Sequence, residues 1–69
     1  MWAKHKGFSI LSVDRYGNSW GGHPRWQYKV YDGNSIIKSS SRYYGCRFFC
    51  EEAAKKAIDE YIRDANRRN

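Results

Sequence analysis

The sequence predicts an α+β domain: a three-stranded antiparallel sheet with one C-terminal helix packed on one face, in the order β-β-β-α. Three observations lead there. The stretch Arg25-Trp26-Gln27-Tyr28-Lys29-Val30-Tyr31-Asp32 alternates strictly between two sets of side chains, as a half-buried strand does. Residues 51–66 space their apolar side chains at the helical period of about 3.6. The chain has 69 residues, which is room for a single domain with a modest core.

In chain order, residues 1–6 carry positive charge and no apolar run, and read as a flexible arm without the features of a secretory leader. The first strand is 7–14, a β-type run from Phe8 to Asp14. A Gly-rich connection follows, Arg15-Tyr16-Gly17-Asn18-Ser19-Trp20-Gly21-Gly22-His23-Pro24, dense in turn formers. The second strand, 25–32, turns Trp26, Tyr28 and Val30 to the core and Arg25, Gln27, Lys29 and Tyr31 the other way. Asp32-Gly33-Asn34 is a hairpin signal. The return strand, 35–42, has Ile36 and Ile37 as its apolar content. Residues 43–49 either extend that strand or form a short loop.

The helix, 51–66, aligns Ala53, Ala54, Ala57, Ile58, Tyr61, Ile62 and Ala65 along one stripe. On its other face Glu51, Glu52 and Asp59 stand four residues before Lys55, Lys56 and Arg63. Glu51 and Glu52 open the helix and Arg67 and Arg68 close it, as its dipole prefers; residues 67–69 are a frayed tail. The expected core is Trp26, Tyr28, Val30, Ala54, Ile58, Tyr61 and Ile62.

Charge is segregated. The formal net charge is +6, and the first fifty residues hold eight Lys and Arg against two Asp, while the remainder balances. The excess therefore belongs to the sheet and its loops. A single helix covers one face of a small sheet, so the face bearing Arg25, Gln27, Lys29 and Tyr31 is left open. Basic and amide side chains on such a face can reach base edges in a major groove. Arg15, Asn18, His23, Lys38, Arg42 and Arg47 surround it as candidate phosphate contacts.

Catalytic and metal motifs are absent. There is no phosphate loop, no nucleophile with its base, and no metalloprotease helix; the expectation is a protein that is not an enzyme and needs no cofactor. No apolar run approaches the roughly 20 residues of a membrane span, so the expected location is the cytoplasm. Cys46 and Cys50 read as reduced thiols facing the core. The sharper alternative is zinc held by Cys46, Cys50, His5 and His23, but no paired His motif follows the cysteines.

The strand order, the aromatic central strand and the phenylalanine shortly before Glu51-Glu52-Ala53-Ala54 together resemble the AP2/integrase-type DNA-binding domain. That resemblance implies a sheet seated in the major groove of duplex DNA, a helix packed behind it, and contacts from Arg25, Gln27, Lys29 and Tyr31. The connection between the first two strands is longer than that family's pattern. The tail Cys50-Glu51-Glu52-Ala53-Ala54-Lys55-Lys56-Ala57 also resembles the last helix of a double-stranded-RNA-binding domain, whose helix before the strands has no counterpart here. The rival class is a small protein-binding inhibitor or adaptor of the kind bacteriophages make, directed at an acidic protein, since Tyr, Trp and Arg also favour protein interfaces.

Overall fold

A computed structural model of the chain describes residues 2–15 and 25–67. The sheet has four strands: β1 (Trp2–His5), β2 (Phe8–Asp14), β3 (Trp26–Asp32) and β4 (Ser35–Ser39), followed by one helix, α1 (Arg47–Arg67). The strands lie in chain order, β1-β2-β3-β4, each antiparallel to its neighbour. The expected three-stranded sheet is thus one strand short, and the expected flexible arm is the missing strand.

β1 pairs with β2 from Trp2 opposite Leu11 to His5 opposite Phe8. Lys6 and Gly7 close this hairpin with φ of 52° and 86°. Positive φ at both central residues is what the tightest hairpin turn demands. Gly7 adopts it freely, whereas Lys6 carries a side chain into that region at some cost. The usual Asn-Gly or Asp-Gly signal is missing, and this hid the hairpin in the sequence. Gly33, with φ of 62°, opens the two-residue turn between Asp32 and Ser35, as glycine does at the first central position of a II′ turn.

β4 ends at Ser39, earlier than expected. Lys38 pairs with Val30 and Ile36 with Tyr31, so Ile37 is an extra residue that bulges the strand. The chain nevertheless stays beside β3. The Ser40 amide donates to the Tyr28 carbonyl at 3.0 Å, and the Tyr28 amide donates to the Ser40 hydroxyl at 3.2 Å. Trp26 and Tyr44 exchange two backbone bonds of 2.9 Å. The helix then begins at Arg47, a turn earlier than its apolar stripe suggested.

The core is Ile10, Tyr28, Val30, Cys50, Ala54 and Ile58. Cys50, Ala54 and Ile58 follow one another at four-residue intervals, so the buried stripe starts a turn before the alanines. Small side chains at 50 and 54 let the helix lie close over β3 and β2, and it reaches β1. Trp26, Tyr61 and Ile62, expected inside, are only half-buried, because four strands are wider than one helix can cover and these residues lie at the margin of the cover. Tyr61 packs edge-on against Phe8, with ring centroids 5.9 Å apart. Ser12 is the buried polar residue of the described chain. Burial pushes the Cys50 thiol above its ordinary range, while its hydrogen bond with Ser12 pulls the other way. Burial likewise raises the Tyr28 hydroxyl, with Tyr44 and Cys50 adding to the effect.

The helix charges pair differently from expectation. With Arg47 as first residue there is no acid in the first turn. Glu51 takes Arg47 at 3.6 Å and Glu52 takes Lys55 at 3.3 Å. Asp59 turns to the β1–β2 hairpin, meeting His5 Nε2 and Lys6 Nζ at 2.9 Å each. No described helix is long and apolar enough to cross a membrane.

Two outcomes follow. Ile58→Ala, at a fully buried position, is expected to cost about 2–5 kcal/mol in urea unfolding; an unchanged midpoint would place the helix on the wrong face. Hydrogen bonds from His5 and Lys6 hold the Asp59 carboxyl below its ordinary 3.8. A group more acidic when folded stabilises the fold above its unfolded pKa and loses that contribution as pH falls through the lower folded value. Asp59→Asn is therefore expected to lower the melting temperature at neutral pH, with the gap to the parent chain closing as pH drops below about 3.8.

Candidate nucleic-acid interface

Residues directly opposite one another in an antiparallel sheet project from the same face, so the register sorts every strand residue. Ala3, His5, Phe8, Ile10, Ser12, Trp26, Tyr28 and Val30 lie on the side of α1. The open side is built in rows across the strands. Lys4, Ser9, Tyr31 and Ile36 form one row, and Trp2, Leu11, Lys29 and Ser39 the next. Val13 and Gln27 form a third. Arg15 and Arg25 close the series, joined by a 2.9 Å bond from the Arg15 amide to the Arg25 carbonyl.

Arg25, Gln27, Lys29 and Tyr31 thus stand together on the open face, as their alternation required, and Arg15 joins them. Three other expected members do not. Lys38 pairs with Val30; the bulge at Ile37 shifts the parity of β4 and turns Lys38 to the helix side at the sheet edge. Arg42 stacks over the Tyr44 ring at 5.3 Å, and Tyr44 leans on the core residue Tyr28, with ring centroids 6.2 Å apart. Arg47 opens the helix and faces Glu51. Asn18, Trp20 and His23 lie outside the described residues.

The face has members that the sequence reading missed. Trp2 and Lys4 come with β1, and Leu11 and Val13 with the outward side of β2. Once Lys6-Gly7 is taken as a turn, the parity of Trp2 and Lys4 follows, so the signal was present but short. The open rows hold Lys4, Arg15, Arg25 and Lys29, all exposed, and no acidic residue. The Asp14 carboxylate accepts the Arg25 amide at 3.3 Å, but its pairing with Trp26 gives it the parity of the helix side.

The surface is not flat. A shallow cleft of ≈ 190 Å³ runs between Leu11, Val13, Arg15, Gln27, Lys29 and Ser39. A wider hollow of ≈ 390 Å³ lies at Trp2, Lys4 and Ser9. The Trp2 indole is 61% exposed and tilts against Tyr31 at 5.4 Å. At the far end the Arg25 guanidinium sits over the Tyr43 ring at 5.5 Å, within cation–π range. Such a surface offers cations for an anionic chain, rings for stacking and, at Gln27, an amide able to donate and accept.

Cys46 and Cys50 are free thiols, Cys50 buried and Cys46 half-buried. Among the described residues no group of three His, Cys, Asp or Glu could hold a metal ion, and His5 is engaged with Asp59. No protein-family model, no curated protein and no solved structure matches the chain. The fold and the face alone define the class: an open-faced α+β domain with a basic, partly aromatic sheet surface.

Thiolate, not thiol, is the reactive species. Brief native alkylation is therefore expected to label Cys46 before Cys50, read by peptide mass spectrometry. Equal labelling would contradict the burial of Cys50.

Proposed function

We propose that this domain binds nucleic acid through its open sheet face, without a catalytic step. One observation carries the proposal: the face that α1 leaves uncovered gathers Lys4, Arg15, Arg25 and Lys29 with no acid among them. Phosphate charge supplies most of the affinity in such complexes, and Gln27 and Lys29, side by side across the cleft floor, can reach bases. The placement of helix behind and basic strand in front is also what the AP2/integrase-type resemblance implies.

A second occupant is an acidic protein surface. The exposed apolar side chains Trp2, Val13 and Ile36 on the same face favour it, because protein interfaces use such groups at their centres.

Titration of labelled nucleic acids at several salt concentrations separates the two. Nucleic-acid binding is expected to weaken with a log–log slope of about −0.7 to −0.9 per phosphate contacted. Arg25→Ala or Lys29→Ala is expected to reduce affinity and slope while leaving the melting temperature within about 4 °C, since both side chains are exposed and surface changes are worth about 0.5 kcal/mol or less. Affinity no tighter than roughly 10⁻⁴–10⁻⁶ M near physiological salt, without preference for any sequence or strand form, would overturn the proposal. Capture of an acidic protein, lost in the same variants, would establish the second occupant.

A further inference from the structure

We infer that the occupant of the open face is a single-stranded nucleic acid rather than a duplex, with one unstacked base seated on Trp2. The inference rests on the nucleic-acid reading and gives it a strand form. It comes from what lies between the cations.

Trp2 is the most exposed aromatic on this face, and Tyr31 supports its ring from the neighbouring row. In a duplex the flat faces of the bases are hidden in the stack, and an indole on a sheet surface meets only backbone and groove edges. In a single strand each base offers its π-face, and stacking on an aromatic side chain is the commonest way such strands are held. The hollow beside Trp2 is bounded by Lys4 and Ser9, which leaves space for a base beside a cation for its phosphate.

Successive rows are about 6.7 Å apart, two residues along a strand. The Arg15–Arg25 row therefore lies about 13 Å from the Trp2–Lys29 row. A strand that stacks on Trp2 and neutralises phosphates at Lys4 and Lys29 can follow the cleft between Leu11, Val13 and Gln27 to reach the two arginines. The Gln27 amide then lies within the cleft, where it can meet a base edge.

The test is fluorescence anisotropy with three labelled probes at one salt concentration: a twelve-nucleotide oligo-dT, the matching oligo-rU and a twelve-base-pair DNA duplex. The unaltered chain is expected to bind either single strand at least about tenfold more tightly than the duplex. Trp2→Leu, which keeps apolar bulk but has no π-face, is expected to weaken oligo-dT binding about tenfold and to leave duplex binding within about twofold. Trp2→Phe is expected to retain most of the affinity. Duplex binding as tight as oligo-dT, or a Trp2→Leu variant indistinguishable from the parent, would overturn the inference while leaving the nucleic-acid reading intact. Failure of all three probes to bind at low salt would overturn both. The strand preference is measured on the parent chain, so it stands whether or not the variants fold.

Discussion

Everything in this domain depends on the contact of Cys50, Ala54 and Ile58 with Ile10, Tyr28 and Val30. Those side chains are the fully or nearly fully buried apolar groups of the described chain, and they join the helix to the two central strands. A domain of this size has little other apolar area to bury, so the rest of the molecule is arranged around that contact. Small residues at positions 50 and 54 bring the helix axis down onto the sheet, and Ile58 fills the space beyond them. The larger Trp26, Tyr61 and Ile62 then take the rim, where they shield the contact from water and keep part of their own surface wet.

One helix against four strands leaves half of the sheet surface without a covering element among the described residues, and the composition of that half follows. On the helix side the strands carry Ala3, Phe8, Ile10, Tyr28 and Val30; on the other they carry Lys4, Lys29, Arg15, Arg25 and Gln27 among a few apolar side chains. Four of the eight cations in the first fifty residues, Lys4, Arg15, Arg25 and Lys29, thus share that face. The balanced charge of the helix plays a separate part: Asp59 reaches across to His5 and Lys6, tying down β1 and its turn, whose contact with the core is made by Ala3.

The centre of this arrangement was legible in the sequence. Alternation in 25–32 assigned both faces of β3 correctly, and the alanine and isoleucine stripe identified the helix and its buried side. What escaped has specific causes. β1 is four residues long and its turn places a lysine where asparagine or aspartate is the usual sign, so Trp2 and Lys4 were not assigned to the sheet. The bulge at Ile37 inverts the parity of Lys38, and a bulge leaves no mark in a two-residue period. The helix start reads late in the sequence because Glu51 and Glu52 look like its acidic opening, whereas the buried stripe begins with Cys50, one turn before Ala54. Arg42 and Arg47 were grouped with the face by charge alone; their position depends on the path between Ser39 and the helix, which no local pattern encodes.

The meander has a consequence for the order in which the molecule is made. Every strand pairs with its immediate neighbour in the chain, so the pairings are local in sequence, and such contacts form quickly. The cover for Ile10, Tyr28 and Val30, however, leaves the ribosome after all four strands. Until Ile58 has emerged, the nascent sheet presents its apolar side to the cell with nothing across it, while its opposite, cationic side is already complete. In that interval the chain is both exposed to aggregation and charged enough to be drawn to surrounding polyanions, so the surface proposed for recognition also accompanies the chain through its most vulnerable moment.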